Sequence, residues 1–340
     1  MDVQRRRRRG NPFELSQQCR TGGPRLSYTA PGPAVTLDGM NRSQKVAGLA
    51  GALTLLWLGV TAAIAASQRR LVFNPTIKRE VENPRSSGHR TRSIVLRATD
   101  GTKLSGWLMT PKVVGPRPAV IYFGGRSEEV SWVVRDAGNL FPGMTVLAVN
   151  YRGYGNSHGA PAEHHMIDDG RLLFDWLCER HNVDPARIAV VGRSLGSGVA
   201  VQVTMSRPVH SLVLITPYDS ILALAKRRFR AVPIEYVLQH RFESVKYAPL
   251  LKVPTYVLRA ASDDVVPHSH TDMLVSKLGQ LHLDEIIADS DHLNIPYLAS
   301  TQARIAAFLT LMFTQPNAAT AAIADAAPAA LQPSLLENWQ

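Results

Sequence analysis

Ser194 stands in the run Gly192-Arg193-Ser194-Leu195-Gly196, between an apolar β-branched segment, Arg187 to Val191, and a stretch from Leu195 to Met205 free of charge and proline. Strand, five-residue turn and helix in that order are the setting of a nucleophile elbow, a strained corner that pushes a serine out of a sheet. The turn is sharp enough for side chains two residues before and after the serine to collide, so Gly192 and Gly196 read as steric requirements. A serine hydroxyl attacks an acyl carbon only when a base takes its proton and an acid orients that base. Downstream, Asp263 and Asp264 follow the strand-like segment Pro254–Arg259, and His292 follows Leu283–Ala288. Ser, Asp, His in that chain order, each beyond a strand, predicts Ser194 as nucleophile, His292 as base and Asp263 as acid. Asp264 is the alternative acid, with loop backbone as its other expected partner, and Asp219 is a third contender, expected instead to cap the helix after it. His268, His270 and His282 sit at a helix start or before a strand and are poorer bases.

The negative oxygen that develops during acyl transfer needs backbone donors fixed in advance. The N–H of Leu195, at the positive end of the elbow helix, is one. Glycines in Gly124-Gly125-Arg126-Ser127, after the strand Pro118–Phe123, let backbone approach a substrate, and the N–H of Arg126 is the second. The Arg126 side chain is expected to pair with Glu128 or Glu129, or to face an anionic substrate. This loop lacks the Gly-Lys-Ser/Thr of a phosphate cradle. His158, His164 and His165 near Asp168 and Asp169 match no metal spacing, so neither metal nor cofactor is called for.

The elements that must hold these groups alternate. A hairpin, Arg92–Ala98 and Lys103–Met109, turns at Asp100-Gly101. Strands follow at Pro118–Phe123, Met144–Asn150, Arg187–Val191, Ser211–Ile215, Pro254–Arg259 and Leu283–Ala288. Helices are expected at Glu128–Leu140, Ala162–Arg180, Leu195–Met205, Ile221–Gln239, His268–Leu278 and Ile295–Phe313. Eight strands with repeated β-α units predict an α/β class: a mostly parallel sheet with helices on both faces.

Charge and hydropathy divide the chain. The formal charge is +11, of which residues 1–45 hold nine Lys/Arg against three Asp/Glu, while residues 67–340 hold 29 against 24. The folded part is therefore too nearly neutral for nucleic-acid binding. The domain plan is a disordered basic arm at 1–45, a transmembrane helix at 46–66, a catalytic domain at 67–314 and a disordered Ala/Pro-rich tail at 315–340. Met40 has the setting of a bacterial-type start, with residues 1–39 as an upstream extension. Val46 to Ala66 is uncharged and long enough to cross a bilayer. Ala63-Ile64-Ala65 resembles a signal-peptide cleavage site, but the apolar run is long for one and Arg69 and Arg70 follow at once, which favours an uncleaved single-pass anchor. The flanking charges conflict over orientation, and the expected side for the catalytic domain is extracytoplasmic. The basic, partly apolar Ala225-Lys226-Arg227-Arg228-Phe229-Arg230 opens an insertion at the predicted active-site end, with a solvated helix face and an anionic membrane as its two possible neighbours. Of the two cysteines, Cys19 lies in the arm and Cys178 in a predicted helix, so the catalytic region has no internal disulfide.

Asn150-Tyr151-Arg152-Gly153-Tyr154-Gly155-Asn156-Ser157 resembles the D-Y-R-G-Y-G-x-S segment of Bem46-like α/β-hydrolases, a family that includes membrane-anchored serine hydrolases. The elbow through Gly198, the run Asp263-Asp264-Val265-Val266-Pro267, Asp291-His292-Leu293 and the entry Gln68-Arg69-Arg70-Leu71-Val72-Phe73-Asn74-Pro75 are similar to the family's motifs in the same order, across about residues 46–314. Where the family reads F-H-G-N, this chain has Phe123-Gly124-Gly125-Arg126. The resemblance implies an α/β-hydrolase fold behind one transmembrane helix, and an acyl or other small-molecule substrate cleaved as an ester or thioester. A peptidase of the same fold, and a silent anchored scaffold with its site broken at Gly124-Gly125-Arg126, are the alternatives.

Overall fold

Residues 183–193 show why the centre of this protein is a parallel sheet. The strand β5 (Val183–Arg193) ends in six consecutive buried residues, a pattern that requires both faces of the sheet to be covered, as in parallel α/β sheets. The computed structural model describes residues 41–75 and 84–315. The expectations for the arm before Asn41 and the tail after Gln315 lie outside the described residues.

The remaining strands are β1 (His89–Arg97), β2 (Lys103–Pro111), β3 (Arg117–Phe123), β4 (Thr145–Val149), β6 (Ser211–Ile215), β7 (Thr255–Ser262) and β8 (Leu281–Asp291). They form one eight-stranded sheet in the order β1-β2-β4-β3-β5-β6-β7-β8. β2 runs antiparallel to β1 and β4, and every other pairing is parallel. The chain thus winds outward both ways from β3, and the loops beyond the C-terminal ends of β3 and β5 to β8 meet at one edge.

The helices are α1 (Arg42–Val72), α2 (Ser131–Leu140), α3 (Glu163–Cys178), α4 (Leu195–Ser206), α5 (Ile221–Arg228), α6 (Ile234–Val237), α7 (Ser244–Tyr247), α8 (His268–Val275) and α9 (Ala299–Thr314). Two cores result. One face of the sheet carries Phe123, Val190 and Leu214 with α3 and α4; the other carries Tyr122, Val191 and Ile215 with α2 and α9. Each large apolar side chain buried there contributes about 1.5–3 kcal/mol. α4, which carries no charged residue, is buried from Leu195 to Val201. Pro233 divides the expected 221–239 helix into α5 and α6, since a proline cannot continue the hydrogen-bond ladder. β8 runs past its expected ends because its exposed edge position leaves little apolar pattern to read.

By its contacts the chain forms two units, Met1–Thr54 and Leu55–Gln340. In the first, the described residues are exposed helix, begun by a reciprocal cap: Gln44 N–H donates to Asn41 Oδ1 at 3.0 Å, and Asn41 N–H to Gln44 Oε1 at 3.1 Å. α1 is long and apolar enough to cross a membrane. In the second unit its continuation keeps Leu55, Leu56 and Leu58 exposed, and only towards Gln68 and Val72 does it become buried.

Candidate active site

Ser194 occupies the corner between β5 and α4 with φ 48° and ψ −116°, a conformation that non-glycine residues rarely adopt. Both flanking glycines are sterically required, for different reasons. A Cβ on Gly192 would lie 2.5 Å from the Gly196 carbonyl oxygen, whereas one on Gly196 would lie 2.2 Å from the Phe123 carbonyl oxygen. The second clash is with the β3 loop and not within the turn, which shows how closely that loop is laid over the start of α4.

The strained corner aims Ser194 Oγ at His292 Nε2, 2.9 Å away. On the other side of the ring, His292 Nδ1 lies 2.8 Å from Asp263 Oδ2 and 3.0 Å from Oδ1. A carboxylate at Nδ1 fixes the proton there and leaves Nε2 to accept from the serine. The side chains of His292 and Asp263 are 8% and 4% exposed, so little water competes for these bonds. Asp263 is itself pinned, its Oδ1 accepting from the N–H groups of Val265 at 2.9 Å and Val266 at 2.7 Å. The loop-binding role expected of Asp264 therefore belongs to Asp263, and Asp264 is exposed. His292 is held in a turn closed by Asp291 and Asn294, with Asp291 Oδ1 accepting from Leu293 N–H at 2.7 Å and Asn294 Oδ1 from Asp291 N–H at 2.8 Å.

Asp219 does not cap α5. Ser220 does, its Oγ accepting from Ala223 N–H at 3.0 Å, and Asp219 instead binds His270 Nδ1 at 2.9 Å. Among the described residues, the N–H groups of Arg126 and Leu195 donate to no acceptor. Two unused donors, one in the β3 loop and one at the head of α4, are what a developing oxyanion would require.

The Arg126 side chain pairs with neither Glu128 nor Glu129. Its Nε donates to the Leu71 carbonyl at 3.1 Å, capping the C-terminal end of α1, where free carbonyls favour a cation. Glu129 accepts from Ser131 N–H at 3.0 Å and from Asn150 Nδ2 at 3.1 Å. Glu128 is buried and shared among the loops around the serine. Its Oε1 accepts from Tyr122 Oη and Trp132 Nε1, each at 2.8 Å; its Oε2 accepts from Gly125 N–H and Arg193 Nη1, each at 2.6 Å. Arg193 Nη2 continues to the carbonyls of His292 at 3.1 Å and Leu293 at 3.2 Å. Burial would pull the Arg193 guanidinium down, but the Glu128 carboxylate outweighs it and holds the group charged, above its ordinary value. One buried ion pair thus ties the β3 loop, the elbow and the histidine loop together. Sequence reading missed it, although a charged residue ending an apolar buried strand was the available signal.

The Asn150–Ser157 segment braces the same loop from outside. Tyr151 Oη donates to the Gly124 carbonyl at 3.0 Å, Tyr154 Oη donates to the Phe73 carbonyl, and Arg152 Nε reaches Asp169 at 2.8 Å.

A family model described as serine aminopeptidase, S33, matches residues 115–247. An uncharacterized protein of Mycobacterium tuberculosis is 33% identical over 225 residues, covering 66% of this chain and 80% of that one. The protein Bem46 of Schizosaccharomyces pombe is 25% identical over 248 residues, covering 69% and 82%. Among solved structures, an acetyl xylan esterase from Paenibacillus sp. R4 superposes with a TM-score of 0.54 at 20% identity, over 76% of this chain and 93% of that one. That similarity is one of fold.

Proposed function

We infer that this chain, which belongs to the Bem46-like α/β-hydrolase family, is a membrane-anchored serine hydrolase cleaving esters or thioesters through an acyl-Ser194 intermediate. The observation that carries the reading is the relay Asp263–His292–Ser194, with heavy-atom separations of 2.8 and 2.9 Å. His292 Nε2 takes the Ser194 proton as Oγ bonds to the acyl carbon, and Asp263 steadies the imidazolium. The carbonyl oxygen, now an anion, accepts from the N–H groups of Leu195 and Arg126. As the carbonyl re-forms, the bond to the leaving group breaks and His292 gives that group its proton. Water, deprotonated by the same nitrogen, then attacks the acyl-serine and releases the acid.

The anchor is α1, and its contacts support an uncleaved one. Trp57 Nε1 donates to the Ala231 carbonyl at 2.6 Å, and cleavage after Ala65 would remove that bond. A peptidase is the second reading, favoured by the name of the matching family model.

The test is full-length protein offered p-nitrophenyl esters, acyl thioesters and aminoacyl p-nitroanilides. Esters and thioesters are expected to turn over, and Ser194→Ala to reduce this by at least about 10³-fold. Faster turnover of the anilides would select the peptidase, and no turnover of any would overturn the hydrolase reading.

A further inference from the structure

Beside the catalytic loops lies a cavity of about 470 Å³, inside the range that encloses small-molecule ligands. Its walls come from two elements that the catalytic relay does not use. Ile64, Leu71 and Val72 of α1 form one side; Leu224, Phe229 and Ile234 of the α5–α6 insertion form the other. Towards the serine it is bounded by Arg126, whose N–H is the second oxyanion donor above, and by Asp264 and Val265, which follow the acid Asp263. Apart from its arginines, Gln68 and Asp264, the lining is apolar.

The insertion is fastened along α1. Gln68 Nε2 donates to the Val237 carbonyl at 3.3 Å, Gln68 Oε1 accepts from Gln239 N–H at 2.8 Å, and Trp57 bonds to Ala231. At 1.5 Å per residue, Trp57 lies about 13 Å along the helix from Ala66, well inside the apolar run. The insertion therefore lies along the part of that run nearest the catalytic domain, where a spanning helix would leave the membrane. The insertion carries the side chains suited to such a boundary: Lys226, Arg227, Arg228 and Arg230 are exposed, as is Tyr236. Arg227 and Arg228 line the cavity while remaining exposed, which puts cations at its edge, as an anionic lipid surface would select.

We propose that this cavity holds the fatty acyl chain of a bilayer lipid, drawn sideways from the leaflet between α1 and the α5–α6 insertion, with its ester carbonyl delivered to Ser194. The proposal rests on the serine-hydrolase reading and names its substrate class. The anchor is then also a wall of the substrate site, and the insertion is the other wall. Bond-making and bond-breaking are those of the acyl-serine cycle: the lipid's ester C–O bond breaks, water supplies the hydroxyl, and a fatty acid and a lyso-lipid alcohol leave.

The experiment uses full-length protein in detergent with p-nitrophenyl esters from acetate to palmitate, then in phosphatidylglycerol vesicles with free fatty acid as the readout. kcat/KM is expected to rise at least about tenfold from acetate to the twelve- and sixteen-carbon esters, and fatty acid to appear from the vesicles. Leu224→Trp, which fills the cavity, is expected to lower the palmitate value at least about tenfold more than the acetate value. The wild-type chain-length profile stands by itself should that variant fold poorly. Acetate turnover with no gain on lengthening overturns the acyl-chain assignment while leaving the hydrolase reading intact. Failure to cleave an ester of any length overturns the hydrolase reading. Long esters cleaved without fatty acid from vesicles overturns the bilayer lipid as the source, with a palmitoyl thioester peptide as the alternative to assay.

Discussion

Two histidine–carboxylate pairs sit at the same edge of the sheet, His292 with Asp263 and His270 with Asp219, and their lengths are 2.8 and 2.9 Å. Both are largely buried. They differ in what lies on the far side of the ring: His292 Nε2 meets the Ser194 hydroxyl, while no hydroxyl bonds to His270 among the described residues. They differ also in support. The His292 loop is tethered by Arg193 and by the Asp291–Asn294 turn; His270 stands in the first turn of α8, whose Thr271 Oγ1 donates to the Pro217 carbonyl at 2.8 Å. In the proposed relay the first pair moves a proton, whereas the second fastens α8 to the β6 loop. An imidazole beside a carboxylate is a weak sign of catalysis until a nucleophile completes the line.

Exchanging one acid for its amide in each pair breaks the comparison most forcefully. Asp263→Asn preserves shape but favours the wrong imidazole tautomer, and is expected to lower kcat by about 10⁴ on a p-nitrophenyl ester. Asp219→Asn is expected to cost less than about tenfold and to act on the melting temperature. The reverse ranking in one assay would assign the proton relay to the other pair.

The tether sharpens the contrast. Arg193→Met leaves Glu128 buried without its partner, a loss of about 3–5 kcal/mol of stability. It also frees the His292 loop, with an expected fall in kcat of about 10²-fold. Arg193→Met combined with Glu128→Gln is expected to regain part of the stability without regaining kcat. Recovery of both would reduce the ion pair to a purely structural role.

A smaller effect concerns the buried histidines outside the proposed relay. Burial lowers the protonation of His89, His210 and His240 below the ordinary 6.5. The unfolded chain binds those protons near 6.5 and the folded protein only at lower pH, so stability is full above 6.5 and is lost as pH falls. Glu163, raised by burial, works in the opposite sense nearer the carboxylate range. A lower melting temperature at pH 6.0 than at 7.5 is expected, and a higher one would contradict the burial argument.

The elbow, the order of strands and the loops carrying Asp263 and His292 were legible because each rests on a local pattern: β-branched runs, paired glycines, chain order. What was not legible depends on approach between distant segments. Glu128 and Arg193 are 65 residues apart, and nothing near Arg126 announces that its guanidinium will cap α1. Asp219 looked like a cap because caps are local, and a local residue, Ser220, took that role while Asp219 turned to His270, 51 residues on. Pro233 was a local break signal overlooked inside an otherwise helical run.

The most direct measurement of the proposed relay is covalent labelling of the folded, full-length protein with a fluorophosphonate, mapped by peptide mass spectrometry. The adduct is expected on Ser194 in the wild type, absent in Ser194→Ala, and formed at least about 10³-fold more slowly in His292→Ala. An adduct on a different serine, or a well-folded wild type that stays unlabelled, would contradict the assignment of Ser194 as the nucleophile.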